Sequence, residues 1–182
     1  MKNPRKSERT SKRAALAALV VAATTPIPAL AHDDKAALFT MAVIVDEAYG
    51  AKVEAGFYER AIDRITRSGR RTPENFAGQV NLCVAYTKTH DIQKANAACE
   101  AAIASLKKLD GRMSRIRNDR NQRLLAYKSD LALALSNRGV LLAATGDTER
   151  AKQDFHAAIE LRTRDSWLFE NNLRRLDQES TS

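Results

Sequence analysis

The sequence predicts an all-helical protein built as a stack of antiparallel helix pairs, and two observations indicate this. Eight residues between positions 81 and 103 recur at a constant offset of 56 residues. Self-similarity at a fixed offset is typical of repeat proteins, in which each unit buries its apolar face against its neighbours. Only seven glycines and four prolines occur among 182 residues, and alanine-rich segments favour helix over sheet. The matched residues are Asn81, Val84, Thr89, Asp91, Ala95, Ala101, Ala102 and Ile103, repeated as Asn137, Val140, Thr145, Asp147, Ala151, Ala157, Ala158 and Ile159.

The first 31 residues contain the parts of a secretory signal peptide. Six basic residues and one Glu precede an uncharged, largely apolar run of 17 residues, and Ala29-Leu30-Ala31 forms a small-residue cleavage pattern. An uncleaved anchor is the alternative, because about 20 apolar residues span a bilayer. Pro26, Pro28 and the cleavage pattern favour removal. We therefore expect a periplasmic or secreted protein, cleaved after Ala31, whose signal contacts the membrane only transiently.

Removal of the signal changes the meaning of the net charge. The whole chain has 30 basic and 22 acidic residues, whereas the chain from His32 has 24 and 21. The apparent basic excess, which would suggest nucleic acid or an anionic membrane, is therefore mostly targeting signal. The remaining 151 residues are enough for one domain with its own core. We expect no nucleic-acid partner.

Residues 132–165 resemble the tetratricopeptide repeat (TPR), a 34-residue helix–turn–helix unit. The family pattern has a small residue at position 8, Gly at 15, Ala at 20, an aromatic residue at 24 and Ala at 27. The resemblance implies a right-handed superhelical stack, in which small residues let the paired helices approach closely and the aromatic ring fills the gap to the next unit. Glycine at position 15 permits the positive φ that ends the first helix. These five positions are filled by Gly139, Gly146, Ala151, Phe155 and Ala158.

The same frame fits residues 76–109 and 42–75 less closely. His90 stands where glycine is usual in the former, and Tyr49 takes the small-residue position in the latter. The resemblance covers most of the chain after the signal and implies three repeats with a capping helix. The packing residues retained in these two units are Gly56, Ala61, Ala95 and Ala102. The predicted organisation is an N-terminal segment at 32–41, a TPR-like domain at 42–178 with its cap at 166–178, and a tail at 179–182.

An insertion separates the second and third units, because the 56-residue offset exceeds one period by 22 residues. Apolar residues within 110–131 recur on one helical face, so we expect the first helix of the third unit to extend backwards, with Ser129 as an alternative N-cap. The insertion carries a basic arm, which would contact anionic surfaces or acidic partners; a solvated helix face is the alternative. The arm consists of Arg112, Arg115, Arg117, Arg120 and Arg123.

The two cysteines occupy positions 8 and 24 of the second unit. Cys83 and Cys99 each lie eight residues from Asp91 at the turn, and residues equidistant from the turn face each other in an antiparallel hairpin. Export would place them in an oxidising compartment. We therefore predict a Cys83–Cys99 disulfide; two reduced, buried thiols are the alternative.

The concave groove of a TPR stack is lined by first-helix residues, which are here small, apolar and nearly uncharged. The resemblance therefore implies a groove that accepts an apolar segment of another envelope protein. Asparagines at position 6, Asn81, Asn137 and Asn171, could bond the backbone of such a partner. Occupation by the chain's own N-terminal segment, Asp33 to Thr40, and self-association are the alternatives. The predicted groove residues are Val43, Val53, Val80, Asn81, Val84, Leu133, Asn137 and Val140.

No pattern in the sequence indicates catalysis. His32, His90 and His156 are not spaced as metal ligands with another His, Cys or carboxylate, and the chain contains neither a glycine-rich phosphate loop nor a nucleophile elbow. We therefore expect a non-enzymatic binding or scaffolding module without catalytic residues, cofactor or metal. A stress or assembly factor of the envelope that acts through the basic arm is the alternative.

Overall fold

The computed structural model of the chain describes residues 35–68, 75–113 and 120–180. Within these ranges the regular structure is entirely helical, which confirms the predicted all-α class. A 3₁₀ turn, Lys35–Leu38, precedes seven α-helices. They are α1 (Gly50–Glu54), α2 (Tyr58–Arg67), α3 (Phe76–Lys88), α4 (Ile92–Met113), α5 (Arg120–Ala144), α6 (Thr148–Glu160) and α7 (Ser166–Glu179).

Each helix packs against the next one in the chain, from α1 to α7. The odd-numbered helices also contact one another, α1 with α3, α3 with α5 and α5 with α7. The 3₁₀ turn contacts α3 and α5. The odd-numbered helices thus form one continuous layer, and the segment before α1 lies against it. No described helix is both long and apolar enough to cross a membrane.

Three of the interhelical turns share one hydrogen-bonding pattern. Between α1 and α2, α3 and α4, and α5 and α6, a backbone N–H just after the turn reaches a carbonyl five residues back: Phe57 to Lys52, Asp91 to Tyr86 and Asp147 to Leu142. This is the 6→1 bond of a Schellman helix end, which needs a left-handed residue just before the donor. Gly56, His90 and Gly146 fill that place with φ of 79°, 59° and 85°.

Close packing at the turns explains the recurring small residues. Ala61, Ala95 and Ala151, the equivalent residues of α2, α4 and α6, are completely buried. A Cβ on Gly139 would lie 2.8 Å from the ring of Phe155, so glycine there allows α5 and α6 to enclose that ring. Ala102 and Ala158, one turn or more further along α4 and α6, are also buried. These residues fix how closely each helix pair approaches.

The region before α2 departs from the expectation. The first helix of the 42–75 unit was expected to begin near residue 42, but α1 begins only at Gly50 and residues 41–44 have no helical hydrogen bonds. Thr40, Ala42 and Ile44 instead bond to side chains of the odd-numbered helices. Because these external partners satisfy the backbone, the chain does not need to form helix there.

The insertion lengthens two helices rather than one. Helix α4 extends to Met113, beyond the unit boundary at 109, and α5 begins at Arg120 instead of near 132. The backward extension of the third unit's first helix was expected, whereas the forward extension of α4 was not. Ser129 lies within α5 and does not cap a helix.

Candidate functional site

A row of three buried asparagines holds the segment before α1 by its backbone. Asn81 lies on α3, Asn137 on α5 and Asn172 on α7, and each is at most 1% exposed. Each carboxamide bonds both backbone groups of a single residue. Asn172 pairs with Thr40, Asn137 with Ala42 and Asn81 with Ile44. We call these three residues the asparagine row and residues 39–44 the docked segment.

The geometry of the row is nearly the same at each residue. The Oδ1 atoms accept from the N–H groups of Thr40, Ala42 and Ile44 at 3.0, 2.8 and 3.0 Å. The Nδ2 atoms donate to the carbonyls of the same residues at 2.8, 2.8 and 3.0 Å. Alternate residues present both groups to one side only when the chain is extended. The asparagine row therefore binds every second residue of an extended backbone.

Two cationic side chains bond further backbone carbonyls on the N-terminal side of the docked segment. Lys88 Nζ donates to the carbonyl of Ala36 at 2.8 Å, and the guanidinium of Arg175 donates to that of Leu38. Carbonyls at five successive even-numbered positions, 36 to 44, are thus bonded to side chains of α3, α5 and α7. The docked segment runs in the direction opposite to the order of the helices. Thr40, near its start, bonds Asn172 of α7, and Ile44, at its end, bonds Asn81 of α3.

Apolar side chains anchor the docked segment between the hydrogen bonds. Phe39 is 5% exposed and lies with its ring centroid 6.5 Å from that of Phe155. Met41 packs against three clusters of buried residues, which together include side chains from all seven α-helices. Val43 packs beside Val84. Burial of a side chain of this size contributes about 1.5–3 kcal/mol, so side chains and backbone both hold the segment.

The connection from the docked segment into α1 is strained. Ala48 and Tyr49 are successive non-glycine residues with φ of 47° and 59°, each costing on the order of 1 kcal/mol. Asn81 holds this turn by donating also to the carbonyls of Glu47 and Ala48, at 3.0 and 3.4 Å. A Cβ on Gly50 would lie 1.8 Å from the Ile44 carbonyl, so only glycine permits this approach. Asn81 therefore holds both the docked segment, through Ile44, and the strained turn, through the carbonyls of Glu47 and Ala48.

The carboxylates beside this turn oppose each other. Asp130 of α5 is half-buried, and burial together with the nearby Glu47 raises its pKa above the usual range. Both effects disfavour the charged carboxylate.

Most predicted groove residues lie under the docked segment. Val84 and Val140 are 3% and 0% exposed and belong to clusters against which Met41 packs. Val80 is buried in a cluster that Leu133 and Ile44 cover. Val53 of α1 packs against Ala61, Val84 and Ala85. The alternative in which the chain's own N-terminal segment fills this face is the one the structure shows, and the segment extends to Ile44.

Two expected positions require correction. Val43 was assigned to the groove wall, but it lies in the docked segment and on no helix. Asn171 was expected to continue the row, but it accepts a hydrogen bond from Arg174, and Asn172 takes the place in the row. Asn137 and Asn172 lie 35 residues apart, one more than the 34-residue period, and Arg162, which follows α6, has a φ of 51°.

Side-chain bonds between helices support the row. Cys83 on α3 and Cys99 on α4 form a buried disulfide with Cα atoms 4.9 Å apart, as the hairpin arrangement predicts. Arg138, next to Asn137, bonds Asp154 of α6 at 2.7 Å through two nitrogens and Glu100 of α4 at 2.8 Å. Mainly the bond to Asp154 raises the pKa of Arg138. The helices that carry Asn81 and Asn137 are thereby fixed to their partners.

The basic arm lies mostly outside the described side chains. Arg115 and Arg117 are outside the described residues, and Arg112 and Arg120 are described only as parts of α4 and α5. Arg123 is exposed, and the neighbouring Leu124 and Leu125 are 48% and 64% exposed. No described contact brings Arg123 to the asparagine row.

Sequence reasoning missed Phe39, Met41 and Asn172 as site residues. A signal for them was present: asparagine occurs in each of α3, α5 and α7, and a segment with apolar residues at 39, 41 and 43 precedes them. The asparagine row holds the extended backbone of Thr40, Ala42 and Ile44. In the described ranges, no three His, Cys, Asp or Glu side chains lie together as metal ligands.

Comparison with known proteins found no match for this chain among protein-family models, curated proteins or solved structures. The disulfide is consistent with an oxidising, extracytoplasmic location.

Proposed function

We propose that this protein is a non-enzymatic, TPR-like binding or scaffolding module of the cell envelope, which binds an apolar segment of another protein on the face that carries the asparagine row. The observation that carries the proposal is the row itself, because paired donors and acceptors at a period of two suit any extended backbone. Side chains beneath the row are apolar, so contact with the partner is mainly van der Waals. Neither metal nor cofactor is needed for this function.

The signal-like N-terminus and the disulfide support export to the periplasm or beyond. The three turns with one bonding pattern support a TPR-like arrangement of helix pairs. Since the docked segment covers the face, a partner gains access when that segment leaves. Self-association through the same face is the competing use of the site.

Photocrosslinking in cells that export the protein tests the proposal. A photoreactive residue in place of Leu133, which like Ile44 packs against the cluster that contains Val80, should attach to a partner. The attached segment, mapped by mass spectrometry, should be apolar and come from another envelope protein. A photoreactive residue in place of His156, exposed on α6, is the matched control and should not attach to that segment.

Two results would overturn the proposal: equal attachment of one segment from both positions, or attachment at position 133 only to a second copy of this chain. Added salt separates the site from the basic arm. Apolar binding at the row should tolerate salt, whereas binding through exposed arginines should weaken as charges are screened.

A further inference from the structure

The docked segment shows what ligand the asparagine row fits. Its backbone supplies one N–H and one C=O to each asparagine, and its odd-numbered side chains, together with Ile44, supply the apolar contacts. The even-numbered residues are Thr40, Ala42 and Ile44, of which the middle one is small. The fit defines a strand with an aromatic residue at one end, flexible or branched apolar residues two and four positions later, and a small residue between them.

The attachment of the segment to the rest of the chain opposes its docking. Ala48 and Tyr49 hold left-handed conformations, while burial and the nearby Glu47 disfavour the charged form of Asp130 on α5. Both effects are relieved when residues 39–47 leave the face. A strand from elsewhere would form the same bonds to the row without requiring this turn. Its disadvantage is entropic, because the tethered segment is present at an effective concentration of roughly millimolar.

We propose that residues 39–44 are a built-in pseudo-ligand, and that the partner strand replaces them on the asparagine row. This inference rests on the proposed function and specifies its ligand: an extended segment of another polypeptide with apolar side chains at alternating positions, of which the first is aromatic. Release of the chain's own segment regulates access. Recognition of the backbone by the row sets the strand's register, and the cavity occupied by Phe39 sets its sequence preference.

The test uses the full chain after signal removal and a fluorescent synthetic peptide of residues 37–46 with a lysine tail for solubility. Ala42→Pro in the protein removes the N–H that Asn137 binds and loosens the tethered segment, while proline is compatible with an extended chain. The peptide should bind this variant about tenfold more tightly than wild type, since a net hydrogen bond corresponds to about that factor. Thr40→Pro, which removes the N–H bound by Asn172, should also tighten peptide binding. It replaces Ala42→Pro in the test if that variant does not fold.

Two methylated peptides are matched in mass and side chains. Methylation of the backbone nitrogen at Ala42 blocks a bond to the row and should weaken binding about tenfold or more. Methylation at Val43, whose N–H has no hydrogen-bonding partner in the described structure, should weaken it much less. Equal loss with both peptides would overturn recognition by the row. Absence of binding to a variant whose segment is released, as shown by hydrogen exchange, would overturn the pseudo-ligand.

Failure of this inference and of the proposed function are distinguishable. If the peptide does not bind, but position 133 attaches to an apolar partner segment in cells, the function stands and the pseudo-ligand is wrong. If the peptide binds with the methylation pattern above, but no partner attaches, the strand recognition stands and the function is wrong. A concentration-dependent dimer of Ala42→Pro that exchanges residues 39–44 between copies would make the ligand a second copy and overturn the choice of another polypeptide.

Discussion

Replacement of Asn137, the central residue of the row, by aspartate removes its hydrogen-bond donor and keeps its hydrogen-bond acceptor. In Asn137→Asp, a carboxylate oxygen still accepts from the Ala42 N–H, but the second oxygen faces the Ala42 carbonyl at the 2.8 Å separation now bridged by Nδ2–H. Asn137 is 1% exposed, so the charge is also desolvated. Loss of the donor and the unpaired charge together should cost about 2–4 kcal/mol at pH 7.

The cost should depend on pH, because a protonated carboxyl has the donor and acceptor of a carboxamide. Burial and the facing carbonyl raise the folded-state pKa of the new acid above its unfolded value near 4. The folded protein then binds the proton more tightly, so stability relative to wild type should be restored at or below about pH 4. It should fall as pH rises from there through the folded-state pKa.

Urea unfolding at pH 4 and pH 7 measures the stability, and amide hydrogen exchange measures the docking. In wild type, Thr40, Ala42 and Ile44 should be protected, while Met41 and Val43, which lack bonds to the row, should exchange faster. Asn137→Asp should remove the protection at pH 7. Asn171→Asp is the matched control, because Asn171 bonds only Arg174 of its own helix, and it should change stability by less than about 0.5 kcal/mol. Equal effects of the two variants at pH 7 would refute the role of the row.

Three further predictions concern the scaffold. Cys83→Ala with Cys99→Ala should lower the free energy of unfolding by about 3 kcal/mol, because the disulfide closes a loop with a separation of 16 residues; a loss below about 1 kcal/mol in urea titration would contradict this. Gly146→Ala should cost about 1–2 kcal/mol from the left-handed backbone alone, since no atom lies within 4 Å of the added Cβ, and an unchanged melting temperature would count against it. Asp130→Asn should raise the urea midpoint at pH 7, because burial and Glu47 raise the pKa of Asp130; the gain should vanish as pH falls below the usual aspartate pKa and wild type is protonated, and a destabilised variant at pH 7 would show the reasoning to be wrong.

Local features of the sequence were sufficient for the helix pairs and their turns. Gly146 and Gly56 indicated the positive φ at two turns, and alanines at a fixed distance after them indicated the close approach of the next helix. The position of the cysteines on either side of Asp91 predicted their pairing. Such features depend on the helical period and on residues near each other in the sequence. They can therefore be predicted when one sequence pattern is repeated.

The same local features could not decide what covers the first helices. Val43 fits the apolar period of a helix and also that of an extended strand, and short apolar segments of this kind are ambiguous from sequence. Only the tertiary structure satisfies the backbone of residues 40–44 with side chains from α3, α5 and α7. Likewise, only the tertiary structure shows that Asn172 and not Asn171 lies in the row.

The sequence by itself therefore determined an all-helical repeat, its turns and the disulfide pair, because these follow from periodicity, backbone freedom and spacing within one hairpin. The tertiary structure decided that the segment before α1 is extended and docked. The physical reason is that buried N–H and C=O groups must find partners. For residues 40–44 these partners lie 37 to 132 residues away along the chain, beyond what local sequence can specify.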